Sequence, residues 1–294
     1  MDFSSPAVQL ALAITVGAGL ATVLGSLMVI FARQTNTRLL AFGLAFSAGA
    51  MVYVSLVEIF VKSTLALEKA AGPKAGYAWA TAFFFVGVIL LVLLDRFVPN
   101  PHPGMAEDDV RSRAQDIASG GPLAQQEAHS THPGPDARAS AADRKLVARV
   151  GLLAALAITA HNLPEGLATF FATLDNPVIG APLAFAIAIH NIPEGVSIAV
   201  PVYYATGSRT KAVLATVASG LAEPLGAIVG YVVLASYLTD FVFGAVFGVI
   251  AGAMVFLAMD ELLPAARNYA KGHETVYGIV IGMAAMALSL VLFK

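Results

Sequence analysis

Two near-identical hexapeptides carry the chemistry of this chain. His161-Asn162-Leu163-Pro164-Glu165-Gly166 recurs as His190-Asn191-Ile192-Pro193-Glu194-Gly195, 29 residues on, with five of six positions identical. In each copy the His and Glu are four residues apart and share a helix face, while the Asn turns about 100° away. Each proline lacks an N–H, so Pro164 frees the carbonyl of Ala160 and Pro193 that of Ile189. The glycine that follows admits a close neighbouring helix. A third carboxylate, Glu223, stands in Ala222-Glu223-Pro224. Two imidazoles, three carboxylates and two amide oxygens suit Zn²⁺ or another first-row divalent ion, whereas calcium favours all-oxygen sites. The chain has no cysteine, which excludes thiolate sites and disulfides and fits a centre that releases its ion.

The elements that must hold these groups are membrane helices. Of 294 residues, 58% are hydrophobic and 12% charged, with a mean hydropathy of +0.77; soluble domains run near 25% charged. A water-soluble enzyme is excluded, and a net charge of −2 argues against a nucleic-acid partner. A bilayer crossing takes about 20 mostly apolar helical residues. Eight stretches qualify, at 8–31, 39–61, 78–98, 150–173, 181–202, 212–237, 241–264 and 276–293. The first has no basic region before it and is read as a retained helix, not a cleaved signal. The expected fold is an all-α polytopic membrane protein. Residues 1–98 hold helices 1–3, and 149–294 hold helices 4–8. The Gly-, Pro- and Ser-rich segment 99–148 between them has no aromatic residue and cannot fold alone. Short connections make helices 4 and 5 antiparallel, and the prolines are expected to break them at mid-membrane.

Depth and charge sharpen this reading. The connections after helices 1, 3, 5 and 7 carry 13 of the 17 Lys and Arg, which puts them in the cytoplasm and both termini outside. His161 then lies about 16 Å from the cytoplasmic face at 1.5 Å per residue. His190 reaches similar depth from the other side, and Glu223 and Met51 match it. Three mid-membrane carboxylates cost on the order of 9 kcal/mol on insertion scales. No Lys or Arg lies between Arg149 and Arg209, or between Lys211 and Arg267, so the missing positive charge is most simply a bound cation. Three carboxylates balance more than one divalent charge, which suits a two-metal centre bridged by Glu165 and Glu194.

On these motifs the chain resembles the ZIP (Zrt/Irt-like protein) family of divalent-metal transporters, most closely its bacterial zinc-uptake branch. The resemblance spans eight helices, outside termini and a long cytoplasmic loop after helix 3. It implies a binuclear site of His161, Asn162 and Glu165 with His190, Asn191 and Glu194, completed by Glu223 and by Met51 from helix 2. It also implies import across a bacterial inner membrane, by an elevator-like motion of helices 1, 4, 5 and 6 against 2, 3, 7 and 8. Zinc is the expected cargo and iron, manganese, cobalt or cadmium its competitors; no catalytic cofactor is needed. Family members are often dimers, so the expected partners are the metal ion, the bilayer and a second copy. Some relatives carry Gln-Asp where this chain has His190-Asn191, and a small polar residue where it has Glu58, which is read as an entrance or auxiliary carboxylate.

Other groups invite weaker readings. Asp95 at the end of helix 3, Asp260 and Glu261 at the end of helix 7, and His102 and His273 in nearby loops would guide a departing cation or simply solvate helix ends. His129 and His132 would chelate zinc weakly. Gly17, Gly19 and Gly25 are expected to serve close helix packing. Two alternatives use the same site: an intramembrane metalloenzyme, which needs a metal-bound water beside a base, and a metal-gated receptor that binds without transport.

Overall fold

The computed structural model describes residues 2–31, 37–97, 159, 162–206 and 208–293. Segment 99–148 and His161 therefore lie outside the described residues, as do His102, His129, His132 and the Asp95 side chain. The described chain is helical, with no strand. It runs α1 (Pro6–Phe31), α2 (Thr37–Val54), a π-helical turn (Ser55–Ile59), α3 (Phe60–Ala71), α4 (Pro73–Phe97), α5 (162–175), α6 (Pro177–Thr206), α7 (Arg209–Gly220), α8 (Ala222–Leu234), α9 (Asp240–Leu257), a second π-turn (Ala258–Leu262), α10 (Leu263–Tyr269) and α11 (Glu274–Phe293).

Six spans among the described residues are long and apolar enough to cross a membrane: Pro6–Leu27, Ala41–Ala71, Pro73–Leu93, Arg209–Leu234, Asp240–Arg267 and Glu274–Leu292. The fifth expected crossing is the 30-residue α6, and α5 is the described part of the fourth. This is a multi-pass helical membrane protein, and its burial pattern follows from the solvent. Exposed positions are apolar, as with Phe85, Ile89, Val229 and Leu292. Many fully buried ones are small or polar, such as Thr15, Thr22, Ser47, Ser63 and Ser219. Lipid rewards the first set, and close helix contact requires the second.

Local chemistry marks the boundaries. Gly72, at φ 85°, ends α3, and Pro73 opens α4 with the fixed φ of a first helical residue. The side chains of Asn176, Ser208 and Thr239 accept from the backbone N–H of Val178, Lys211 and Val242, at 3.0, 3.3 and 3.2 Å, capping α6, α7 and α9. Two boundaries differ from the sequence reading. The second crossing does not stop at residue 61, because Lys62 pairs with Glu58 and the helix continues to Ala71. The seventh does not stop at residue 264; Asp260 and Glu261 occupy a π-turn inside it, and the helix resumes to Tyr269.

The helices form two packed groups. In one, α1 lies against α6, α7 and α8; in the other, α2, α3, α4, α9, α10 and α11 pack together. The groups meet where α2 and α11 lie on α6. Elsewhere between the groups an apolar cleft of about 690 Å³ lies between Phe83, Val86 and Val249 of one and Leu163, Leu167 and Val229 of the other.

Candidate metal centre

Helix α5 turns back into α6 through Asn176 alone. Glu165 faces His190, and Gly180 packs on Thr173, a crossing pattern that only antiparallel helices produce. Glu165, His190 and Glu194 meet with ligand atoms all within 4.8 Å of one another. His190 Nε2 is 3.2 Å from Glu165 Oε1, and all three side chains are fully buried.

Glu223 stands beside this trio, at the start of α8. The glycines make the approach possible. A methyl group at Gly166 would overlap the Glu223 backbone carbonyl, and one at Gly195 would overlap the carbonyl of Thr22. Gly19 and Gly25 of α1 likewise abut Gly220 and Ile192, but Gly17 has nothing within 4 Å. The packing role expected of Gly17 is not found, because its face of α1 looks away from α6 and α7.

The two asparagines are held by their amide nitrogens. Asn162 Nδ2 donates to the carbonyl and to Oγ of Ser219, both at 3.2 Å. Asn191 Nδ2 donates to the Ala18 carbonyl at 3.0 Å and to Glu223 Oε1 at 2.5 Å. Their Oδ1 atoms, with Glu165 Oε2 and Glu223 Oε2, are buried and accept no hydrogen bond among the described residues. Buried acceptors without donors are costly. Glu165 Oε2 belongs to the Glu165–His190–Glu194 trio, and a buried oxygen there without a donor is what a cation would satisfy.

Pro193 acts differently from expectation, while Ala160 and His161, where a break before Pro164 would fall, lie outside the described residues. Helix α6 runs unbroken through Pro193, and Pro164 lies inside α5; losing one ladder bond is tolerable where neighbouring helices hold both sides. The break falls instead before Glu223. Leu221 (φ −74°, ψ −13°) separates α7 from α8. Pro224 has no N–H for the Gly220 carbonyl, against which Gly19 packs.

Two participants were missed from sequence. The Ser47 hydroxyl, on α2, lies 3.1 Å from the His190 carbonyl and 3.3 Å from Glu194 Oε1, its one proton shared between these two acceptors; Ser219 anchors Asn162. Both are fully buried hydroxyls in apolar runs. Ser47 precedes Met51 by four residues, the signal that would have found it. Met51 itself is fully buried one turn further along α2. Glu58 is not an open entrance carboxylate: it is buried in the first π-turn, 3.5 Å from Lys62 Nζ. His273 is exposed, its ring 6.0 Å from that of Tyr277.

The family model for the ZIP zinc transporter matches residues 6–290. The zinc transporter ZupT of Xanthomonas axonopodis pv. citri (strain 306) is 55% identical over 291 residues, covering 99% of this chain and 97% of that protein. ZupT of Neisseria meningitidis serogroup B (strain MC58) is 55% identical over 292 residues, covering 99% and 98%. The Oceanobacillus iheyensis zinc transporter ZupT is 45% identical over 286, covering 96% and 97%.

Proposed function

Because the chain belongs to the ZIP zinc transporter family, whose activity is transport and not catalysis, we propose that it imports zinc across a bacterial inner membrane. In this reading the ion enters from outside and exchanges waters for Glu165, His190 and Glu194. The single observation that carries it is this buried trio, in which Glu165 Oε2 finds no donor among the described residues. His161, Asn162, Asn191, Glu223 and Met51 complete the ligand set, and two ions share the centre with Glu165 and Glu194 between them. Iron, manganese, cobalt and cadmium are competing cargo.

The two helical groups support an elevator-like cycle: α1 and α5–α8 carry the ion, and the others stay with the membrane, in a homodimer. Both termini face outside and residues 99–148 form a cytoplasmic connection. Protons compete with metal for imidazole and carboxylate, so protonation on the inner side helps release.

The test is uptake of labelled zinc into proteoliposomes, comparing the wild type with Glu165→Ala at matched protein density. Saturable influx is expected for the wild type. Loss of this ligand should weaken zinc binding by more than about 100-fold, beyond the range seen for partners outside the metal's own ligands. Saturable zinc binding by the wild type without influx above empty liposomes would overturn the reading in favour of a receptor.

A further inference from the structure

The described candidate ligands other than Met51 all lie on one helical group: Asn162 and Glu165 on α5, His190, Asn191 and Glu194 on α6, Glu223 on α8. The groups that hold the asparagines, Ser219 on α7 and the Ala18 carbonyl on α1, lie on the same group. Ser47 does not. It belongs to α2, across the seam, and its hydroxyl reaches both the His190 carbonyl and Glu194 Oε1. Ser47 is fully buried, so bulk water does not compete for its one proton, which is shared between the His190 carbonyl and the Glu194 carboxylate; a carboxylate is the stronger acceptor of the two.

A carboxylate with one oxygen pinned presents its remaining lone pairs in a fixed direction. Hydrogen-bond partners that orient a ligand in this way typically contribute 10–100-fold to metal affinity. Ser47 is also a group that the rest of the site leaves behind whenever α6 slides along α2. A hydroxyl more than about 3.5 Å from its acceptor no longer holds it, so even a displacement of one helical turn, about 5.4 Å, ends the contact.

We infer that Ser47 is a positioning residue for Glu194, and that it makes the site's affinity for a divalent cation depend on the register of the two helical groups. With Ser47 in place Glu194 is oriented and the ion is held. With the groups displaced the carboxylate loses its orientation and the ion leaves more readily. This rests on the transport reading above and adds to it where the affinity change comes from.

The experiment measures zinc affinity of the purified full chain in nanodiscs, and KM and kcat of uptake in proteoliposomes, for the wild type, Ser47→Ala and Ser47→Thr. Ser47→Ala is expected to weaken binding and raise KM together by about tenfold or more, with kcat unchanged or higher, while Ser47→Thr stays within about twofold of wild type. A merely structural hydroxyl would lower the melting temperature and leave KM alone. Wild-type KM and affinity in Ser47→Ala would overturn the inference, and so would equal losses in the Ala and Thr variants. Both of those results require an active wild type. A wild type that neither binds nor transports zinc would overturn the transport reading, and this inference with it.

Discussion

At the residue scale, the membrane interior separates two kinds of buried carboxylate. Glu58 has a resident partner, Lys62, at 3.5 Å, with side chains only 9% and 15% exposed. Glu165, Glu194 and Glu223 lie on helices with no lysine or arginine nearby in sequence, and their neighbours are imidazole, amide and hydroxyl groups. The first carboxylate is paired with a cationic side chain, and the second set has polar neighbours that carry no fixed positive charge. Removing one member of a fully buried pair costs about 3–5 kcal/mol. Lys62 is partly exposed, so Lys62→Met is expected to destabilise the fold by about 2–3 kcal/mol, just below that range. Glu58→Gln combined with Lys62→Met should recover most of this. Thermal unfolding of the four proteins in nanodiscs measures the coupling; additive losses would show that the ion pair contributes nothing.

At the element scale, small residues decide which helices meet. Gly166 brings α5 onto the start of α8, and Gly195 brings α6 onto α1. An alanine at Gly166 must push the Glu223 backbone away, and overpacking of this kind costs about 1–3 kcal/mol. Gly166→Ala should therefore lower both melting temperature and zinc affinity, since the displaced backbone carries Glu223. Gly17→Ala is the contrast. It meets nothing within 4 Å, and the better helix propensity of alanine is worth up to about 1 kcal/mol, so its melting temperature should be unchanged or raised. Equal losses in the two variants would count against the contact. The π-turns at Ser55–Ile59 and Ala258–Leu262 show the same limit from another side. Each inserts a residue into an otherwise regular helix, and hydropathy alone does not register the shift.

At the scale of the whole molecule, the distribution of positive charge sets the expected topology. Thirteen of seventeen basic residues fall on the connections assigned to the cytoplasm, and such asymmetry orients membrane helices during insertion. The absence of cysteine makes a direct check simple. Ser4→Cys, at the exposed N-terminal end, should react with a membrane-impermeant thiol reagent in intact cells. His273→Cys, in the exposed turn before α11, should react only after the membrane is opened. The reverse pattern would invert the molecule and with it the direction of transport.

How much could be read before any coordinates depends on whether a feature is local. The apolar runs and the antiparallel turn between α5 and α6 are properties of short segments with 3.6-residue periodicity and a known membrane thickness. The asparagine and glutamate positions beside each histidine are legible for the same reason. What stayed hidden was set by neighbours distant in sequence. Ser47 touches Glu194 across 147 positions, and a lone serine in an apolar run looks like any other small packing residue. Pro193 leaves α6 intact, whereas Pro224 stands just after a break, because α1 and α2 brace α6 while Gly19 crowds the Gly220 carbonyl. Lys62 reads as the end of a membrane segment until Glu58 is seen to hold it inside one. The sequence by itself determined which groups must leave water, since burial in lipid is dictated by hydropathy. Only the tertiary structure decided which of them answer one another, because pairing of buried polar groups depends on contacts between helices that no local pattern encodes.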